Sequence, residues 1–390
     1  MPGSVIPRLK PYFSLRELFA ALSPSSGKIV QFENEFSTKF GCEHGVMFSF
    51  GRTALYALLK AWGLEKDEVI CPAYTCVVVQ HAIVISGNTP VFVDCEEGSF
   101  NMSYDGITDA ITDKTRAIVV THLFGYPMDV HKIQSIVSDA EEKYGNKIYV
   151  IQDAAHSYGA KWDDELVTGF GDAAIFGLNI SKIMNSIFGG MATTNSEDTY
   201  NKLIEFREKE IKPAGAIKTV HRLIYLVSVM VAFNQVVYSF TNWMERMGLL
   251  GKLVKYFDES TIEFPNGWNE MPVELEARVG LVQLSKYDKI IEMRKGNAEN
   301  HLARFLNFSE FHLPKADKGA TYSHFVVTVE NREEWVQTYM KKGIELGILI
   351  EYSVPEMPSY QPYKRGSYPI SEYYSEHCIN IPVWPGVNLR

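Results

Sequence analysis

The sequence predicts an α/β protein with a large domain built on a mainly parallel sheet sandwiched by helices, and a smaller C-terminal α+β domain. Three observations predict this. First, short apolar runs rich in Val and Ile recur through the first half: "DEVICPAY" (67–74), "TPVFVDC" (89–95), "RAIVVTHLFG" (116–125), "KIYVIQDAA" (147–155) and "AAIFGL" (173–178). Second, stretches of helical spacing separate them, such as "RTALYALLKAWGL" (52–64) and "DVHKIQSIVSDAEEKYG" (129–145). Strands apolar along their whole length need cover on both faces, and helical crossovers make neighbouring strands parallel. Third, the pattern changes after about residue 285. "SHFVVTVEN" (323–331) reads as a strand, "REEWVQTYMKKGIELG" (332–347) as a helix with a glycine stop, and "ILIEYSV" (348–354) as a further strand. The boundary is expected inside the helix-like stretch 273–305, dividing the chain into 1–284 and 285–390.

Composition narrows the function. At 390 residues, with 46% hydrophobic and 22% charged residues, the chain has material for a substantial shared core. A net charge of −9 and the lack of a Lys/Arg-rich tail argue against nucleic acid as partner. The five cysteines (Cys42, Cys71, Cys76, Cys95, Cys378) have no CxxC or metal-ligand spacing. Such an odd, scattered set predicts reduced thiols and a cytoplasmic compartment. The opening "MPGSVIPRLKPYF" lacks the apolar core of a signal peptide.

In parallel α/β sheets ligands bind beyond the carboxyl ends of the strands, so polar residues just after strands are the candidates for chemistry. Three such features occur in order. In "FSFGRTALYALL", Gly51 leads into a helix, whose first-turn N–H groups and positive dipole end suit a phosphate; Thr53 could add a hydroxyl. In "YVIQDAAHSYGA", Asp153 ends a strand expected to be buried, with His156 three residues on. A buried carboxylate needs a cationic partner, from the protein or from a protonated nitrogen on a ligand. In "IFGLNISKIMNSIFGGMATTN", Lys182 is an isolated amine one strand further along. Each alone is commonly structural: a helix start, a helix cap, a solvated lysine. Together they suit pyridoxal phosphate (PLP). The lysine forms a Schiff base with the aldehyde, and the aspartate keeps the pyridine nitrogen protonated so that the ring accepts electrons.

These and further blocks resemble the DegT/DnrJ/EryC1/StrS sugar aminotransferases, PLP enzymes of the aspartate-aminotransferase fold. The resemblance runs from about residue 30 to near the C-terminus. It rests on "GRTALYALL", "DEVICPAYT", "GNTPVFVD", "THLFGYPMDV", "IQDAAHSYGA", "FGGMATTN", "ELEARVGLVQL" and "INIPVWPG". It implies a seven-stranded sheet, Lys182 as the covalent lysine, and Asp153 as the pyridine-nitrogen partner. His156 would lie against the cofactor, and the backbone amides of Arg52 and Thr53 would hold the phosphate. Asn269 falls where the family supplies an asparagine to the phosphate bound by the partner subunit, which makes a homodimer part of the active site. L-glutamate is the implied amino donor and a nucleotide-linked keto-sugar the acceptor. A related dehydratase branch has histidine in place of the lysine; Lys182 points to transamination.

Some positions depart from the family. Gly177 stands where a phosphate-binding serine is usual, with Asn179 and Ser181 nearby. Cys76 occupies the position of an aromatic that stacks on the cofactor, and Glu270 and Met271 replace a Tyr-Arg pair. Other readings remain open at this stage: a PLP lyase or synthase of the same fold, and a non-catalytic relative.

One segment stands apart. "LIYLVSVMVAFNQVVYSFTNWM" (223–244) carries no formal charge. A single helix of that length would reach roughly 33 Å, enough for a bilayer. A crossing would separate Lys182 from Asn269, and Asn234 and Gln235 sit at its centre. Its surroundings are basic, with Lys212, Lys218, Arg222, Arg246, Lys252 and Lys255 against Glu245. Burial in the core or dimer interface, and in-plane contact with an anionic membrane, both fit. The second would allow a lipid-linked or amphipathic substrate.

Overall fold

The computed structural model describes residues 5–247, 258–306, 308–314 and 317–389. Its centre is a seven-stranded sheet. In chain order the strands are β1 (His44–Phe48), β2 (Glu68–Pro72), β3 (Thr89–Val93), β4 (Thr115–Thr121), β5 (Tyr149–Asp153), β8 (Ala173–Gly177) and β9 (Gly190–Thr194). A two-residue hairpin, β6 (Lys161–Trp162) with β7 (Glu165–Leu166), interrupts them. The spatial order is β1-β9-β8-β5-β4-β2-β3. Neighbours from β8 to β3 run parallel, while β9 is antiparallel to both β8 and β1.

Side chains alternate across these strands, so each strand feeds two cores. Val69, Ala117, Val119 and Ile151 pack on one face with Leu55, Leu58 and Leu59 of helix Gly51–Ala61. Ile70, Ile118, Val120 and Val150 pack on the other with Ile133, Val137 and Ala140 of helix Val130–Tyr144. Both faces are covered, which is why these runs are apolar at every position. Asp129 caps the second helix by accepting from the amides of His131 and Lys132, and Gly145 ends it at φ 68°.

Beyond the sheet, helices Glu274–Ser285 and Tyr287–Phe305 lead into a two-stranded antiparallel sheet of β10 (Phe325–Thr328) and β11 (Cys378–Ile381). The strand expected at 348–354 does not form. β11 pairs with β10, and Leu349 and Ile350 instead pass along the wall of a cleft. The uncharged segment also differs from a single helix. It divides into helices Ala216–Ala232 and Gln235–Arg246, the pair bent by 104°. The break falls at Asn234, whose carbonyl accepts the amide of Tyr238 as the second helix starts. No single helix among the described residues is long and apolar enough to cross a membrane. Lys252 and Lys255 of the basic segment lie outside the described residues.

Candidate active site

β4, β5 and β8 are parallel neighbours, so their last residues, Thr121, Asp153 and Gly177, line up along one sheet edge. All three line a cavity of about 270 Å3 together with Lys182. The lysine sits in the connection from β8 to β9. Its amide donates to the Asn179 carbonyl at 3.1 Å, while Asn179 Oδ1 accepts from the Ser181 amide at 3.0 Å and hydroxyl at 2.6 Å. This local turn reverses the chain just past the strand and returns Lys182 over its end.

The opposite wall is the N-terminal turn of helix Gly51–Ala61. Two glycines let it approach. A Cβ on Gly51 would lie 3.0 Å from the Phe176 carbonyl oxygen, and one on Gly190 would overlap the backbone of Phe50 and Gly51. The positive end of the helix dipole therefore lies against the carboxyl end of β8. Gly51 and Arg52 line the cleft. Thr53 does not: its hydroxyl donates to the Trp268 carbonyl at 3.3 Å and its amide to the Phe50 carbonyl at 3.1 Å.

Asp153 is 4% exposed. Oδ2 accepts from the Thr121 hydroxyl at 3.2 Å and Oδ1 from the Ala155 amide at 3.0 Å. Burial raises its pKa, against the lowering influence of the Ala155 amide, the Lys182 charge and Thr121. Lys182 is shifted the other way. Burial lowers its pKa, opposed by Cys76 and Asp153. A desolvated carboxylate held by two neutral donors and an amine pushed toward its neutral form share one cleft.

His156 lies beside them, its Nδ1 accepting the Phe124 amide at 3.4 Å. Its ring is tilted 17° from that of Phe124, at 5.9 Å, and lies 5.0 Å from His324. Burial, then the charges of Lys182 and His324, hold its pKa well below the usual histidine range, so the ring is neutral. Cys76 completes the inner wall; burial and then Glu259 push its thiol pKa up. Gly177 leaves little room for a side chain, since a Cβ there would lie 3.3 Å from Lys182 Cε. The Gly177 carbonyl accepts from the buried Tyr158 hydroxyl, and the Tyr158 carbonyl accepts from Tyr287 Oη at 2.5 Å. This chain of hydrogen bonds fixes the strand end from behind.

The cleft thus gathers Gly51, Arg52, Cys76, Asp153, His156, Gly177, Asn179 and Lys182. Asn269 is not among its lining residues; its carbonyl accepts the Lys212 amide at 2.8 Å. Thr121, Glu259 and His324 were not anticipated. Thr121 obeys the same strand-end rule as Asp153, being the first polar residue of its apolar run. His324 gave no signal, because it comes from the small sheet's approach.

These residues fit PLP. Asp153 is the deciding observation: it is buried, and its hydrogen-bond partners among the described residues are both neutral. A protonated ring nitrogen would supply the missing charge, with Lys182 for the aldehyde and the helix terminus for the phosphate.

Comparison with known proteins agrees. The model of the DegT/DnrJ/EryC1/StrS aminotransferase family matches residues 22–390. GDP-perosamine synthase of Escherichia coli O157:H7 is 28% identical over 371 residues, spanning 94% of this chain and 88% of that one. The dTDP-3-amino-3,6-dideoxy-alpha-D-galactopyranose transaminase of Aneurinibacillus thermoaerophilus is 27% identical, spanning 92% and 85%. Among solved structures, the sugar aminotransferase CalS13 of Micromonospora echinospora superposes with a TM-score of 0.78 at 18% identity, covering 98% of this chain and 96% of that one. The strand-end lysine and aspartate, the helix terminus facing them and the family match lead to one conclusion: this chain belongs to the DegT/DnrJ/EryC1/StrS family of PLP-dependent aminotransferases.

Proposed function

We propose that the protein transfers an amino group from L-glutamate to a keto group on a nucleotide-linked sugar, as a homodimer in which Asn269 reaches the phosphate site of the partner subunit. The observation that carries this reading is the pairing of Lys182 with Asp153 across one cleft, with pKa values displaced in opposite directions. When bound, PLP supplies an aldehyde for amine exchange and a ring that withdraws electrons from the substrate carbon.

The chain's own residues do the rest. Asp153 binds and keeps protonated the ring nitrogen, and Thr121 and the Ala155 amide hold its carboxylate in place. Lys182, with its pKa lowered by burial, is an amine better able to give up and take back a proton than a solvated lysine. The neutral His156 ring presents an uncharged face toward the cofactor without competing for its protons. Gly51 and Arg52 offer the helix terminus to the phosphate, and Asn179, whose Oδ1 accepts from Ser181, lines the same cleft and with Ser181 supplies polar groups near Gly177. The names of the relatives, which act on GDP- and dTDP-linked sugars, support the acceptor class.

The test is a two-part turnover. PLP-loaded protein with L-glutamate should release 2-oxoglutarate, and a panel of GDP- and dTDP-linked keto-sugars should yield an amino sugar detectable by mass. Release of 2-oxoglutarate with no aminated product from any nucleotide sugar would overturn the acceptor assignment. A keto-sugar that loses a hydroxyl group instead would favour dehydratase chemistry.

A further inference from the structure

Fourteen large hydrophobic side chains stand exposed among the described residues, and eleven of them lie on or directly beside three helices. Leu15, Phe19 and Leu22 form one stripe on helix Leu15–Leu22, with Phe19 67% exposed. Ile217, Val220, Ile224, Val227 and Val231 form a second along helix Ala216–Ala232, with Ile217 72% exposed. Phe240 and Trp243 on helix Gln235–Arg246, and Met247 just past it, form a third.

Helix Ala216–Ala232 already has a core-facing side. Leu226 and Val229 are buried, and Lys218 and Arg222 anchor it through the Met271 carbonyl and Glu276. Its opposite side is apolar as well, and a helix hydrophobic all round requires a second apolar environment. The stripes are neighbours: Leu18 of the first helix lines a shared groove with Val227, Met230 and Val231 of the second and Val237 of the third.

Charge identifies what covers them. Residues 5–32 and 211–244 carry Arg8, Lys10, Arg16, Lys28, Lys212, Lys218 and Arg222, and the last two residues of the third helix add Glu245 and Arg246. Arg8, Lys218 and Arg222 pair with Glu345, Glu270 and Glu276. That leaves Lys10, Arg16, Lys28 and Lys212 as the cations of residues 5–32 and 211–244 with no carboxylate within 4.0 Å among the described residues. The single carboxylate of residues 5–32 and 211–244, Glu17, is buried against Lys286. This is a cationic region in a chain of net charge −9. A two-fold contact would set this cationic patch, with exposed Arg16 and Lys212, against the same patch of a second copy, with no exposed carboxylate from residues 5–32 or 211–244 to pair with it. An anionic bilayer complements both the apolar stripes and the cations. The bend of 104° between the two later helices keeps them from forming one continuous span. At 17 residues, helix Ala216–Ala232 spans roughly 26 Å, short of a hydrocarbon core.

We propose that these three helices seat the enzyme in the headgroup region of an anionic lipid bilayer, lying flat on it without crossing it. The full chain, loaded with PLP, is sedimented with phosphatidylglycerol/phosphatidylcholine vesicles and with phosphatidylcholine vesicles, at low and high salt. Binding to the anionic vesicles, weakened by salt, is expected. Phe19→Glu, Ile224→Glu and Trp243→Glu should each lower the bound fraction's partition coefficient by roughly tenfold or more, the effect of losing one buried apolar side chain. Mass by light scattering and the visible absorption of the bound cofactor should be unchanged in the three variants. Failure to sediment at low salt, or equal binding by all three variants, would overturn the proposal. A fall in molecular mass on substitution would overturn it in favour of a second copy of the chain. Since cofactor absorption is read in the same samples, loss of lipid binding is distinguishable from failure of the aminotransferase reading.

Discussion

Asp153→Asn separates function from fold in this enzyme. The substitution keeps shape: Asn Oδ1 can retain the Ala155 amide, and the Thr121 hydroxyl can turn to accept from the new Nδ2. What disappears is the negative charge facing the cofactor nitrogen. A hydrogen bond to a charged group contributes about 1.5–3 kcal/mol, so the dissociation constant for PLP should rise roughly 10- to 150-fold. The apoprotein should respond oppositely. Burial raises the pKa of Asp153 in the folded state above its unfolded value. Its contribution to stability is therefore fully present below the unfolded pKa and lost as pH rises through the folded one. Removing the titrating group should raise the apo melting temperature near pH 7, with the advantage shrinking toward pH 4. Absorbance titration with PLP and apo melts at several pH values read both effects. An unchanged dissociation constant, or a lower apo melting temperature at pH 7, would refute the reasoning.

Three further substitutions probe the frame around the site. Gly190→Ala places a methyl group into the backbone of Phe50 and Gly51, which cannot move aside as a side chain would. It should destabilise the protein by more than about 3 kcal/mol, read as a lowered denaturation midpoint or loss of folded protein. Gly177→Ser puts a hydroxyl where the family resemblance implies a phosphate-binding one, and the new Cβ lies 3.3 Å from the flexible end of Lys182. Slower loss of PLP on dilution is expected; faster loss would mean that crowding of the lysine outweighs the added phosphate contact. Tyr158→Phe leaves the buried Gly177 carbonyl without its side-chain donor and should cost about 1–3 kcal/mol in chemical denaturation.

The parallel strands were legible because burial on both faces leaves an unbroken apolar run, as in Ile118–Val119–Val120. β1 and β9 were not read as strands. "HGVMF" and "GMATT" contain glycine and threonine and pair antiparallel at one side of the sheet, where apolar continuity is weaker. The break at Asn234 could be suspected from its polarity, but sequence spacing carries neither the 104° bend nor the groove that both helices share with Leu18 of helix Leu15–Leu22. In the site, the strand-end rule located Asp153 and Lys182, and it applies equally to Thr121. His324 and Glu259 reach the cleft from distant segments, and tertiary folding alone brings them there. Thr53 shows the converse. Its position one residue beyond the cleft-lining turn suggested a phosphate contact, yet the helix rotation carries its hydroxyl toward Trp268.

The central claim is that Lys182 is the residue to which PLP binds covalently. Borohydride reduction of the PLP-loaded protein, followed by proteolysis and mass spectrometry, tests it most directly. The account predicts one modified peptide carrying the reduced cofactor on Lys182, and no visible absorption band in Lys182→Ala protein mixed with PLP. A cofactor adduct on another lysine, or an undiminished band in Lys182→Ala, would contradict it.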